Sequence, residues 1–281
     1  MTLPPDSADA PLRPGAATLT VRDLRTVARF YEQVIGLDRI GDDSGAALLG
    51  THGTPLLELR QRRTAEPDRP GFAGLFHTAF LMPSRADLGR WLAGAMAAGV
   101  RFDGASDHAV SEALYLSDPE GNGIEVYADR PRTAWQTQGG MVRMVTEPLD
   151  VRGLVGAGDG GPPDRPQPAG IGHIHLRVGG LPEAESFYAG VLGLPVTCRY
   201  PGAVFHGAAG YHHHVAVNTW HSRGAPRRTG RETGLSAFDL RADAATFDAT
   251  AARMEAAGGR AEGDTVVADD PFGNRIILRR A

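Results

Sequence analysis

Ser117-Asp118-Pro119-Glu120-Gly121-Asn122-Gly123-Ile124-Glu125-Val126-Tyr127 returns half a chain later as Asp269-Asp270-Pro271-Phe272-Gly273-Asn274-Arg275-Ile276-Ile277-Leu278. Each stretch is a tight polar turn running into a strand rich in β-branched residues. Gly121 and Gly273 sit where such a turn demands a positive φ. Upstream, Leu19-Thr20-Val21-Arg22-Asp23-Leu24, then Arg29-Phe30-Tyr31 and Gly36-Leu37, returns as Leu176-Arg177-Val178-Gly179-Gly180-Leu181, then Ser186-Phe187-Tyr188 and Gly193-Leu194. The chain therefore carries two copies of one architecture. Only the first keeps a carboxylate, Glu125, where the second has Ile277. Chemistry is sought around Glu125 for that reason.

The pattern between these anchors predicts an α+β chain of four βαβββ modules. Module one has a strand near Ala17–Val21, a helix near Thr26–Ile35 whose Val27, Phe30, Tyr31 and Ile35 share one stripe, and strands near Ala46–Leu49 and Pro55–Arg60. After the polar loop Arg62–Gly71, module two has a strand near His77–Met82 and a helix Arg85–Ala98 with Ser84 as its N-cap. Its strands are near Glu112–Leu116 and Gly123–Tyr127. Module three runs from Gly172 through a helix Glu183–Val191 to a long strand region Ala203–Trp220. Module four has a strand near Leu235–Leu240, a helix Ala245–Ala257 and a last strand Arg275–Arg279. The expected divisions are a loose tail 1–14, an N-terminal domain 15–130, a partly flexible linker 131–168 rich in Pro, Gly and Asp, and a C-terminal domain 169–281.

A chain of 281 residues fits two domains, and 42% hydrophobic content supplies two ordinary cores. The net charge of −4 and the lack of a long basic run argue against nucleic acid. Cys198 is the single cysteine, which excludes an intrachain disulfide and a cysteine-based zinc site and fits a reducing compartment. No apolar run is long enough to span a membrane, and the first residues lack a signal peptide's apolar core. A cytoplasmic enzyme without membrane contact is the expectation. A homodimer is the weak default for such a protein.

These residues resemble the vicinal oxygen chelate superfamily of glyoxalases, bleomycin- and fosfomycin-resistance proteins and extradiol dioxygenases, and within it the two-domain catechol-2,3-dioxygenase-like branch. The resemblance covers nearly all the chain from residue 15. It implies tandem domains of paired modules that form cupped mixed sheets, with a metal held from the first and last strands of two paired modules. The matching positions are Ala16 and Glu58, His77 and Glu125, His173 and the His212-His213-His214 strand, and Ser236 and Ile277. Pairing module two with module three needs no missing ligand: it gathers His77, Glu125 and His173 and leaves Ala16, Glu58, Ser236 and Ile277 in a degenerate cup.

Two imidazoles and a carboxylate on one face of a metal suit non-haem Fe(II), and Mn(II) fits the same set. By the resemblance, His213 takes the acid–base role, His108 bonds the substrate hydroxylate and Tyr115 orients its oxygen. Strand parity puts His213 on the face opposite His212 and His214, so His214 stays open as the catalytic position. His175, His206, His52 and His221 have no such support and read as surface or supporting residues, and the His212–His214 run is itself open to a weak adventitious metal site. Trp135 and Trp220 read equally as walls of an aromatic pocket or as core. The resulting expectation is an Fe(II)-dependent extradiol dioxygenase acting on a catechol-like aromatic and O2. The alternatives are a glyoxalase-type metal-dependent isomerase or transferase with Glu58-like bases, and a metal-free ligand-sequestering resistance protein.

Overall fold

The computed structural model describes residues 10–158 and 166–281. Module one comprises β1 (Leu12–Val21), α1 (Leu24–Phe30), β2 (Asp38–Asp43), β3 (Ala46–Thr51) and β4 (Thr54–Gln61). Module two comprises β5 (Gly74–Leu81), α2 (Arg85–Ala97), β6 (Gly104–Asp107), β7 (Ser111–Ser117) and β8 (Gly123–Asp129). A connecting segment holds the hairpin β9 (Thr137–Gln138) and β10 (Met141–Val142), then β11 (Glu147–Pro148) and α3 (Val151–Ala157). Module three is β12 (Gly170–Arg177), α4 (Leu181–Glu185), β13 (Val196–Tyr200), β14 (Ala203–His206) and β15 (Val215–Asn218). Module four is β16 (Gly234–Ala242), α5 (Ala244–Ala256), β17 (Arg260–Glu262), β18 (Thr265–Asp269) and β19 (Arg275–Arg280). This is the α+β arrangement of four βαβββ modules.

In each module the first strand lies parallel to the last, β1 to β4, β5 to β8, β12 to β15 and β16 to β19. A parallel neighbour needs a crossover, and the helix supplies it. The modules join through antiparallel first strands. β1 pairs with β16, giving the sheet β17-β18-β19-β16-β1-β4-β3-β2 from modules one and four. β5 pairs with β12, giving β11-β6-β7-β8-β5-β12-β15-β14-β13 from modules two and three. The halves 15–130 and 169–281 thus do not each build their own sheet; each sheet takes one module from each half.

The repeated turns do a repeated job. Asp118 Oδ1 accepts the backbone N–H groups of Glu120 and Asn122, and its Oδ2 accepts from Asn122 Nδ2 and the Tyr31 hydroxyl. Asp270 does the same with Phe272, Asn274 and the Tyr188 hydroxyl. Gly121 and Gly273 adopt φ of 85° and 84° in those turns. Tyr31 and Tyr188 are fully buried within π-helical turns, Tyr31–Ile35 and Ser186–Val191, that extend α1 and α4. The repeated aromatics are therefore core residues whose hydroxyls bind the turns.

The chain crosses between sheets twice, at residues 62–73 and 219–233, and the crossings bind each other. Glu66 N donates to Arg231 O, Thr233 N to Glu66 O, and Asp68 N to Thr233 Oγ1. Arg177 donates to Asp68 beside them.

Several expectations need correction. Of the expected tail 1–14, residues 1–9 lie outside the described residues; Ala10 is buried and Leu12–Pro14 already belong to β1. The expected linker 131–168 carries β9 to β11 and α3, with residues 159–165 outside the described residues. β11 extends the second sheet at β6, and Leu154 of α3 is buried against α2, where the missing side chain of Gly89 allows close approach. The expected strand Ala203–Trp220 is interrupted: His212, His213 and His214 precede β15 and are not on a strand. Gly207 explains part of the break, since a Cβ there would lie 2.4 Å from Tyr211 O.

Candidate metal centre and cavity

Alternation along the strands brings the chemistry to one face of the second sheet. His77 on β5, Tyr115 on β7, Glu125 on β8 and His173 and His175 on β12 all line a cavity of about 250 Å³. Ala79 is paired with both Glu125 and His173, and its methyl leaves room between them. A bulge at Gly172 shifts the β5–β12 register between Ile171 and His173. A Cβ at Gly172 would lie 1.8 Å from the Tyr127 hydroxyl, so only glycine leaves room for that side chain beside the bulge.

The bulge aims His173 at Glu125. Glu125 Oε2 lies 2.9 Å from His77 Nε2 and 3.2 Å from His173 Nε2, and the two Nε2 atoms are 3.2 Å apart. All three residues are buried, and among the described residues they form a group able to hold a metal ion. Burial holds the His173 imidazole down to about 4, so it is neutral and free to donate its lone pair. Burial opposes ionisation of Glu125, but the facing imidazoles outweigh it and hold the carboxyl well below its usual range. Without a cation, an imidazole Nε2–H can donate to Glu125 Oε2; with that proton moved off Nε2, the same nitrogens and the carboxylate offer their lone pairs to one point. Two imidazoles and a carboxylate are a donor set that Fe(II) or Mn(II) accepts.

His108 lies at the cavity wall between Val145 O, 2.6 Å from its Nδ1, and the Tyr115 hydroxyl, 2.6 Å from its Nε2. A carbonyl only accepts, so Nδ1 carries the proton and Tyr115 donates to Nε2. The preceding turn is set by Asp107, which accepts from Ala109 N and from Arg130. Burial first, and then Glu125, push the Tyr115 hydroxyl well above its ordinary value, so it stays protonated.

His213 also lines the cavity, with its ring 4.0 Å from that of His173 and 4.9 Å from Phe205. His214 does not line it. Its ring stacks on Tyr211 at 4.7 Å and its Nδ1 accepts from Ala208 N. His212 faces Asp129, 2.8 Å away. The three consecutive histidines thus have three different environments.

Sequence reasoning underrated His175 and His206. His175 is buried, stands opposite His77 across the strand pair, and has its Nε2 3.0 Å from Asn218 Nδ2. Its position two residues from His173, on the same face, was the available signal. His206 is fully buried on β14. Trp220 lines the cavity, while Trp135 packs on His212 at 5.1 Å. Phe76, Phe205, Tyr200 and Met144–Thr146 complete the wall, and Met144–Thr146 come from the supposed linker. Glu58 is in the other sheet, bound by Arg60 and Thr18. Ala16, Ser236 and Ile277 belong to that sheet as well.

The glyoxalase/bleomycin resistance protein/dioxygenase superfamily model matches residues 13–126 and 170–278. A protein of Bacillus subtilis (strain 168) named catechol-2,3-dioxygenase is 42% identical over 233 residues, 80% of this chain and 81% of its own. Among solved structures, a putative dioxygenase from Bacillus subtilis superposes with a TM-score of 0.65 at 12% identity, covering 95% of this chain and 84% of that one. Glyoxalase I from Zea mays superposes with a TM-score of 0.58 at 17% identity, covering 95% and 92%. The structural likenesses establish the shared fold alone. No helix among the described residues is long and apolar enough to cross a membrane.

Proposed function

The chain belongs to the glyoxalase/bleomycin resistance protein/dioxygenase superfamily, and from that premise we propose that it is an Fe(II)-dependent extradiol dioxygenase that opens a catechol-like ring with O2. The observation that carries the reading is the convergence of His77, His173 and Glu125 at the floor of an aromatic-walled cavity. The relative named catechol-2,3-dioxygenase supports it.

His77, His173 and Glu125 would hold the metal, with Mn(II) able to replace iron in the same ligands. Bound there, the metal supplies a template for both reactants and a sink for charge. The protein's own side chains do the rest. Phe76, Phe205 and Trp220 exclude water and stack against a planar ring. A cavity of about 250 Å³ lies at the small end of ligand clefts and suits a single ring. Tyr115, already donating to His108, orients a substrate oxygen, and His108 shares that hydrogen bond. His213 moves the proton: burial and the neighbouring imidazoles hold it well below the ordinary histidine value, so it waits as a neutral base.

The glyoxalase-type alternative would use Glu58 as its base, but that carboxylate is tied to Arg60 and Thr18 in the other sheet. Oxygen dependence separates the two readings. Protein loaded with Fe(II) anaerobically and mixed with a panel of catechols should take up O2 on admission of air and form a yellow semialdehyde. Glu125→Ala should lose both metal retention and turnover. Metal retained at one per chain with no O2 uptake by the parent protein would sink the dioxygenase reading.

A further inference from the structure

Asp129, His212 and His213 form a hydrogen-bonded chain that ends on the cavity. His212 Nε2 is 2.8 Å from Asp129 Oδ1, and His212 Nδ1 is 2.8 Å from His213 Nδ1. The other oxygen, Asp129 Oδ2, accepts from the Tyr211 hydroxyl at 2.8 Å, which lies 2.9 Å from the Tyr127 hydroxyl. His212 is fully buried between the rings of Tyr211, at 4.2 Å, and Trp135, at 5.1 Å, so its orientation is locked.

The chemistry of the groups sets the direction of every bond. A carboxylate only accepts, so His212 carries its proton on Nε2. A neutral His212 then offers a lone pair on Nδ1, and the short contact to His213 is a hydrogen bond only if His213 Nδ1 donates. His213 is left with its lone pair on Nε2, which has no protein partner among the described residues. We propose that Asp129 and His212 are positioning residues that hold His213 as the tautomer whose bare Nε2 faces the cavity, where it can take a proton from the bound substrate. In that transfer the substrate O–H bond breaks and the His213 Nε2–H bond forms. The proposal rests on the dioxygenase reading for the proton's source, but the tautomer itself follows from the protein alone.

Nitrogen chemical shifts test it directly. In the metal-free protein labelled with 15N-histidine, and with His213 assigned by comparison with His213→Asn, Nε2 should be pyridine-like and Nδ1 pyrrole-like. The reverse pattern overturns the proposal. Asp129→Asn should invert the pattern, since its amide would take the Tyr211 donor on oxygen and donate to His212 Nε2, sending the His212 proton to Nδ1. An Asp-to-Asn change in a serine-protease triad produces the wrong tautomer in this way. In the iron-loaded protein the same variant should lower kcat about a hundredfold while KM and iron content stay within about twofold. An unchanged nitrogen pattern in Asp129→Asn, or a kcat within about twofold of the parent, overturns the assignment. If the parent turns over no catechol at all, the dioxygenase reading fails, and the nitrogen pattern still decides the tautomer.

Discussion

Removing the Tyr115 hydroxyl takes away the donor that His108 Nε2 accepts at 2.6 Å. Tyr115→Phe should therefore keep its iron, because the ligand set is untouched, but lose about ten- to hundredfold in kcat/KM for catechol oxidation. Steady-state O2 uptake beside iron content separates these effects, and equal loss of both would show that Tyr115 supports the ligands instead. The candidate ligand cluster was legible at this scale. His77, Glu125 and His173 fall at corresponding strand positions of repeated modules, and repetition turns an ambiguous histidine into a placed one. The choice between His213 and His214 was not legible, because strand parity was applied to residues that precede β15. His175 was missed although its two-residue spacing from His173 put both on one face; its place opposite His77 needed the strand pairing. Met144, Val145 and Thr146 were unreadable, since no periodic pattern marks them.

Two glycines separate position from flexibility among the elements. In β12, a Cβ at Gly172 would meet the Tyr127 hydroxyl at 1.8 Å, and the bulge there aims His173. Gly172→Ala should destabilise the chain by about 1–3 kcal/mol through overpacking and weaken metal binding as well. Urea unfolding and metal titration measure the two effects, and unchanged metal affinity would detach the bulge from the site. In α2, a Cβ at exposed Gly94 meets nothing within 4 Å. Gly94→Ala should stabilise by about 0.5–1 kcal/mol through helix propensity, and a lower urea midpoint would contradict that. The long elements were readable because apolar periodicity and caps mark them; Ser84, for example, accepts from Asp87 N at the start of α2. The strands β2, β6, β13, β17 and β18 were not anticipated. β2 and β17 are largely exposed, and such strands lack the alternation that advertises burial.

Across the whole molecule, burial depresses His173 and His206 to about 4 and His214 to about 3. Between pH 6.5 and 4 the unfolded chain binds protons there that the folded chain refuses, so stability falls as pH falls. Each histidine contributes up to about 1.4 kcal/mol per pH unit. Urea midpoints at pH 7, 6 and 5 should decline, less steeply in His214→Asn, and a flat profile would contradict neutral burial. The sheet partition makes a second prediction. His77 and Glu125 lie before the connecting segment and His173 after it, so fragments 10–130 and 169–281 should bind metal weakly alone and recover affinity when mixed. Calorimetry reads this, and full affinity in one fragment would refute it. The same partition has a consequence for chain order. Ala242 O accepts from Ala281 N, Pro11 O from Asp243 N, and Leu12 pairs with Ala242. Pro11 and Ala281 therefore meet at one spot. A circular permutant that joins them and opens between residues 62 and 73 would read modules two, three, four and one in order. Each sheet would then be continuous along the chain, and the lobe containing all three candidate metal ligands could be cloned, labelled or evolved as an uninterrupted cassette.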